Sequence, residues 1–112
     1  MTIERRRSPR MRIVDTLPGR TSAGDTPVLV RDFSLGGMAI EIARELPEGT
    51  LQEFLLLLGD NSVVELRGRV VRCRNLAGEG EAPLYSCGIQ FVDDDPAEEA
   101  RAGQVLGTLK KP

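Results

Sequence analysis

The sequence predicts an all-β domain that ends in a single α-helix. Short apolar segments with a two-residue period recur along the 112-residue chain, and clusters of glycine, proline and small polar residues separate them. This pattern is typical of antiparallel strands joined by turns, and only the last segment changes to helical spacing. Five or six strands of this length and spacing are expected to close into a small barrel or a sandwich.

The strand assignments rest on alternation and on segment length. In the third strand, three aliphatic residues alternate with Ala39 and Glu41, as expected when one face of a strand is buried. Segment 51–58 could also be a short buried helix by periodicity alone, but its length and the glycines on both sides favour a strand. The predicted strands are 11–14, 26–33, 38–43, 51–58, 63–74 and 84–92.

Glycine and proline fix two further details of the strand prediction. Pro18 and Gly19 are expected to form a turn after a short first strand. Gly68 lies in the middle of the long segment 63–74 and predicts a bulge or a bend there, as at a barrel corner.

The C-terminal segment carries the signals of a helix start. Asp95 is a favourable N-cap, Pro96 occupies the first helical position, and Glu98 lies three residues beyond the cap, where it would complete a capping box. A helix over about residues 95–109 is therefore predicted. Its apolar residues recur at helical spacing and are expected to pack on the sheet: Ala102, Val105, Leu106 and Leu109.

Composition limits the possible functions. Apolar residues make up 40% of the chain, which fits one folded domain, and the longest apolar run, 54–58, is too short to cross a membrane. The absence of histidine removes the commonest general base and the commonest neutral metal ligand. Two cysteines are too few for a four-ligand zinc site, and no Walker-type glycine loop is present. We therefore expect neither an enzyme nor a cofactor or metal site.

The N-terminal segment is strongly basic although the formal net charge is only −2. Residues 4–12 contain five arginines and one glutamate, whereas residues 93–99 contain five acids and no base. We interpret residues 1–10 as a flexible arginine-rich arm ahead of a domain spanning 11–112. No apolar region of a secretory signal follows the arm, so a cytoplasmic location is expected.

A basic end on an acidic protein indicates a local anion site. Binding of single-stranded nucleic acid is not expected, because it usually requires exposed aromatic side chains along a groove and this chain has only four aromatic residues.

The segment between the second and third strands carries the polar residues best suited to a ligand. Asp32 and Ser34 flank Phe33, so in an extended chain they project from the same face, and Gly36 and Gly37 follow. A carboxylate accepts hydrogen bonds and a hydroxyl both donates and accepts, which suits the Watson–Crick edge of a guanine. The alternative is a β-turn in which both side chains bond only their own backbone.

Two motifs together resemble those of a known family. Arg6 and Arg10 form R-x-x-x-R, and Asp32, Ser34 and Gly37 form D-x-S-x-x-G. In this order, with strands on both sides of the second motif, they resemble the PilZ domain, a family of bacterial receptors for the second messenger cyclic di-GMP. The resemblance covers nearly the whole chain and implies a six-stranded antiparallel β-barrel with a C-terminal helix. It further implies that these five residues bind cyclic di-GMP and that an effector protein receives the signal.

Arg5 extends the arginine pair and bears on stoichiometry. Cyclic di-GMP can stack into an intercalated dimer, which carries twice the phosphate charge of one molecule. Arg5, Arg6 and Arg10 would supply three guanidinium groups for that charge and for stacking on the outer guanines, so two ligands per chain are predicted.

The resemblance leaves the controlled process open among motility, polysaccharide synthesis, development and virulence. The alternative is a constitutive protein-interaction module of the same fold whose arginines are solvated.

The two cysteines lie in strands that the loop 75–83 connects. Antiparallel pairing of these strands would place Cys73 nearly opposite Cys87. Small buried cysteines are common and cytosolic thiols are normally reduced, so a structural role is expected, with a redox role as the alternative.

Overall fold

A computed structural model describes residues 11–92 and 96–109, and these residues form six antiparallel strands and one helix. The strands close into a barrel in the order β1-β2-β3-β6-β5-β4. The predicted fold class is confirmed, including a strand within segment 51–58, whereas the predicted arm 1–10 lies outside the described residues. The elements are β1 Met11–Thr21, β2 Pro27–Phe33, β3 Gly37–Ile42, β4 Leu51–Leu57, β5 Val63–Asn75, β6 Tyr85–Phe91 and α1 Pro96–Leu109.

The core fills the barrel and extends beneath the helix. Inward residues of the strands alternate with outward ones, most regularly in the first half of β5. The Phe33 and Phe91 rings pack inside with centroids 5.4 Å apart. Ala102 and Val105 of α1 are fully buried, and Leu106 and Leu109 pack against the same core, as the helical spacing predicts.

A buried carboxylate joins α1 to the barrel. Glu98 is 3% exposed and accepts a hydrogen bond from the Arg67 backbone N–H of β5 at 2.6 Å. It also accepts one from the Arg101 guanidinium at 3.3 Å. The sequence assigned Glu98 to a capping box with Asp95, which lies outside the described residues. In the structure Glu98 links the first turn of the helix to the sheet.

A bulge in β2 decides which way Asp32 faces. Val30 and Asp32 pair with consecutive residues of β3, so Arg31 is an extra residue in the ladder. Val30 and Phe33 are buried in the core, whereas Arg31 is exposed and Asp32 is half-buried. In a regular strand Asp32 would share the inward face of Val30, and the bulge moves it to the outer wall.

A second bulge, in β5, has the same effect on an arginine and a cysteine. Val70 and Arg72 pair with consecutive residues of β6, which leaves Val71 as the extra residue. Arg72 is exposed on the outer wall, whereas Cys73 is half-buried and packs against the core.

The turn predicted at Pro18 and Gly19 is wrong, and the bulge of segment 63–74 lies at Val71 and not at Gly68; close strand contacts account for both glycines. Gly68 pairs in regular register, and an added Cβ would lie 2.6 Å from the Ile89 side chain of β6. Pro18 and Gly19 continue β1 instead of turning, and Gly19 pairs with β2 on one side and β4 on the other. An added Cβ at Gly19 would lie 2.6 Å from the Leu55 carbonyl oxygen, so this glycine permits closure of the barrel.

Candidate ligand-binding site

The turn between β2 and β3 is held together by Ser34. Its backbone N–H donates to the Gly37 carbonyl oxygen at 2.8 Å, and its hydroxyl donates to the same oxygen at 3.3 Å. The hydroxyl accepts from the Gly36 N–H at 3.2 Å. Ser34 is only 3% exposed, whereas Asp32 is half-buried, so the two residues do not share an open face. For Ser34 the structure agrees with the alternative in which the side chain bonds its own turn.

Gly37 is fixed by the neighbouring strand. It begins β3 opposite Gln90 of β6, and an added Cβ would overlap the Ile89 carbonyl oxygen. Gly36 has open space at its Cβ position. Within the D-x-S-x-x-G motif, Ser34 and Gly37 therefore define the shape of the turn and the entry into β3.

A row of four residues with a charged residue at each end crosses the outer wall of the barrel next to this turn. Register places Asp32 of β2, Ala39 of β3, Gly88 of β6 and Arg72 of β5 side by side, and we call these four residues the outer shelf. With neighbouring strands about 4.8 Å apart, the row is about 14 Å long. Ala39 and Gly88, which have small side chains or none, lie between the Asp32 carboxylate and the Arg72 guanidinium. We call these two residues the floor of the outer shelf.

The β5 side of the outer shelf is cationic. The Arg72 Nη2 atom lies 3.8 Å from the position that a Cβ on Gly88 would occupy, so the guanidinium extends beside the floor. On the β2 side, Arg31 forms a 3.6 Å ion pair with Glu41, and this pair lies outside the row. The exposed arginines of β5 are Arg67, Arg69, Arg72 and Arg74.

The sequence analysis did not identify Arg72 and Gly88 as site residues. Strand alternation correctly placed Gly88 on the outward face of β6. Arg72 reaches the same face only because of the bulge at Val71, and no residue type in the sequence marks that bulge.

The predicted arm arginines Arg5, Arg6 and Arg10 lie outside the described residues. The first described strand begins at Met11 opposite Phe33, with Arg12 opposite Asp32 in register. Residues 1–10 therefore precede in sequence a strand end that lies beside the turn between β2 and β3.

Other surfaces of the described chain offer less for a ligand. Phe33, Phe54 and Phe91 are buried and Tyr85 is half-buried, which leaves no exposed aromatic row for nucleic-acid bases. A shallow groove of about 200 Å³ between α1 and the barrel is lined by charges of both signs. Within residues 11–92 and 96–109, no group of three or more Cys, Asp or Glu residues is placed to hold a metal ion. No helix in this part of the chain is long and apolar enough to span a membrane.

The fold and the turn between β2 and β3 place the chain in a class of small β-barrel domains. These domains have a closed six-stranded antiparallel barrel and one C-terminal helix. Residues 4–107 match the family model of the PilZ domain, so the chain belongs to the PilZ domain family. No curated protein matches the chain.

Solved structures share this fold. The PilZ domain of Escherichia coli YcgR, solved with c-di-GMP, superposes with a TM-score of 0.72 at 19% identity over 96% of this chain and 92% of its own. The MrkH–c-di-GMP complex of K. pneumonia gives a TM-score of 0.68 at 22% identity over 93% of this chain and 52% of MrkH. The Bacillus subtilis inhibitor of motility gives 0.68 at 16% identity over 94% of this chain and 51% of its own. The chain thus spans about half of the last two proteins.

Proposed function

We propose that this chain is a cytoplasmic, non-enzymatic receptor for cyclic di-GMP. Membership of the PilZ family supports a receptor role, and the similar YcgR and MrkH structures contain this ligand. The observation that carries the proposal is the β2 bulge, which turns Asp32 outward onto the outer shelf, beside the start of β1 at Met11.

The residue chemistry suits both parts of the ligand. The guanidinium groups of Arg6 and Arg10 bond bidentately to guanine O6 and N7 or to phosphate oxygens, and they stack on purine faces. The Asp32 carboxylate accepts from the guanine N1–H and N2–H groups. Ser34 and Gly37 contribute by shaping the turn that presents Asp32.

The outer shelf extends the site beyond the two motifs. Ala39 and Gly88 allow a flat purine to lie close to the barrel wall, and Arg72 supplies a cation at the far end of the row. Ligand contacts would then extend from the arm across β2, β3 and β6 to β5.

The signal passes to an effector protein through the arm. Five arginines within residues 4–12 repel one another, and the ligand's two phosphates remove part of that repulsion. Binding would therefore fix the arm against the barrel, an order–disorder change that a partner protein can recognise.

Isothermal calorimetry with cyclic di-GMP tests the proposal. Arg10→Ala should weaken binding at least tenfold, because a hydrogen bond to a charged group contributes about 1.5–3 kcal/mol. Gly88→Ala should also weaken it by raising the floor, since an added Cβ there makes only ordinary contacts with the protein, 3.5 Å from the Val71 side chain and 3.8 Å from Arg72. Arg20→Ala is the matched control, because Arg20 lies at the other end of β1 and pairs with the exposed Asp25.

Two results would contradict the proposal. The absence of binding heat at ligand concentrations well above micromolar would favour the constitutive interaction module. Binding by Arg10→Ala that equals the parent would remove the arm from the site.

A further inference from the structure

The hairpin of β5 and β6 brings the two cysteines into contact. Cys73 pairs directly with Cys87 in register, and their Sγ atoms lie 2.9 Å apart. Both are free thiols in the structure, and a disulfide would bring the same atoms to about 2.05 Å. Only a small movement therefore separates the observed pair from a covalent bond.

Hydrogen bonding shows which kind of strand pair the cysteines form. The Cys73 backbone N–H donates at 3.1 Å to the Glu48 carboxylate in the loop between β3 and β4, not to β6. Just beyond the ends of the two strands, Leu76 N–H donates to the Leu84 carbonyl oxygen at 2.8 Å, so Leu76 and Leu84 are a hydrogen-bonded pair three positions from the cysteines. Since bonded and non-bonded pairs alternate, the cysteines form a non-hydrogen-bonded pair. The Cα atoms of such pairs are about 4.5 Å apart, within the range of about 4.4–6.8 Å that disulfides occupy.

The two thiols differ in their surroundings. Cys87 is 1% exposed, and burial together with the adjacent Cys73 sulfur raises the pKa of the Cys87 thiol to about 12. Cys73 is half-buried, and its sulfur accepts a hydrogen bond of 3.4 Å from the Leu46 N–H. An oxidant from solvent therefore reaches Cys73 first.

We propose that Cys73 and Cys87 form a reversible disulfide site whose oxidant is a small hydroperoxide. The Cys73 sulfur attacks the terminal peroxide oxygen and the O–O bond breaks. Cys73 sulfenic acid forms, and the Cys73 proton passes to the departing oxygen, which leaves as an alcohol or water. The Cys87 sulfur then attacks the sulfenic sulfur, the S–O bond breaks, and the Cys87 proton leaves with the hydroxyl as water. Two thiols are oxidised by two electrons and the peroxide is reduced by two. A dithiol reductant reverses the reaction. This inference does not depend on cyclic di-GMP binding.

Treatment of the full chain with equimolar hydrogen peroxide tests the site. After denaturation, the number of cysteines alkylated by N-ethylmaleimide should fall from two to none, the intact mass should decrease by two hydrogen atoms, and the protein should stay monomeric on a non-reducing gel. Dithiothreitol should restore both alkylations. If both thiols remain alkylatable after peroxide, or if Cys73 accumulates as sulfinic acid, the proposal is wrong.

Single variants separate the two roles. In Cys87→Ser, Cys73 should stop at the sulfenic acid and become labelled by dimedone. In Cys73→Ser, the buried Cys87 should remain fully alkylatable after the same treatment and subsequent denaturation. Circular dichroism verifies that each variant is folded before oxidation. Equal oxidation of the two single variants would contradict the order of the steps.

Discussion

At the scale of single residues, the position of Asp32 depends on one extra residue in β2. The bulge at Arg31 puts two consecutive charged side chains on the outer wall and returns Phe33 to the core. The aspartate of the motif is thereby aimed at the surface, and the serine two residues later is closed into the turn.

We predict that Asp32→Asn reduces both affinity for cyclic di-GMP and preference for guanine over adenine. Asparagine keeps the size of the side chain but replaces one acceptor oxygen with a donor, and the remaining hydrogen bond is no longer charge-assisted. The expected loss is about 1–2 kcal/mol, or roughly five- to thirtyfold in Kd. Calorimetric titration of parent and variant with cyclic di-GMP and cyclic di-AMP measures both effects. Equal binding of the two dinucleotides by the parent would refute this role of Asp32.

A second residue-scale prediction concerns the Cys87 thiol. Its pKa is about 12 in the folded chain and 9.0 in the absence of its surroundings. Between these values the unfolded chain has lost this proton while the folded chain retains it, so rising pH favours unfolding. The free energy of unfolding should fall by up to about 1.4 kcal/mol per pH unit in this window, in addition to other titrations.

Urea denaturation under reductant measures this effect in the parent and in Cys87→Ala. The variant has a lower stability throughout because a buried sulfur is removed, but its stability should decrease less steeply with pH. Parallel curves for the two proteins above pH 9.0 would contradict the assignment.

At the scale of elements, strand contacts at glycine hold the walls of the barrel together. Gly37→Ala is expected to destabilise the chain, because the added methyl overlaps the Ile89 carbonyl of β6 and β3 must move away. Overpacking of this kind costs about 1–3 kcal/mol. Gly36→Ala, one residue earlier, is the matched control, because nothing lies within 4 Å of its Cβ position. Thermal unfolding of both variants should show a lower Tm for Gly37→Ala only.

The attachment of α1 gives a second prediction at this scale. Glu98→Ala leaves the Arg67 N–H of β5 without its carboxylate partner, which should cost about 1–3 kcal/mol of folding free energy. Glu98→Gln keeps an acceptor of the same shape and should lose less. Glu99→Ala serves as the control, since the neighbouring Glu99 is exposed. Denaturant unfolding followed by far-ultraviolet circular dichroism gives the comparison, and equal midpoints for Glu98→Ala and Glu99→Ala would rule the contact out as a stabilising one.

At the scale of the whole molecule, the sequence was informative where local rules and tertiary packing agree. Alternation in β3 and β6 and the helical spacing of α1 predicted their buried faces correctly. Local rules failed where a distant strand decides the conformation. Gly19 and Gly68 resemble turn or bulge residues, but β4 and β6 require their lack of a side chain.

The candidate site, too, was predictable from sequence only where local residues determine it. Asp32 was predicted as a ligand residue from its motif, because a carboxylate beside a glycine-containing turn is visible in sequence. The full outer shelf was not, since Arg72 lies about forty residues from Asp32 in sequence and joins the row only through the register of three strand pairs and a bulge. The spacing of residues in the sequence does not determine that register.

The stoichiometry of the complex is a property of the whole molecule, and Arg5 is expected to determine it. A self-stacked cyclic di-GMP dimer carries twice the charge of one molecule, so it requires more cations from the arm and from the barrel wall. Arg5, Arg6 and Arg10 would supply three, and Arg72 would add one at the far end of the outer shelf. We therefore expect two ligands per chain in a calorimetric titration.

Arg5→Leu should lower this number toward one while binding remains measurable, because Arg6 and Arg10 still hold a single molecule. Arg20→Leu, which removes an arginine at the other end of β1, should leave two ligands bound. One ligand per chain in the unmodified protein would rule out the dimer. Two ligands in the Arg5→Leu variant would contradict the role assigned to Arg5. That result would show that Arg6, Arg10 and the outer shelf are sufficient to bind the cyclic di-GMP dimer.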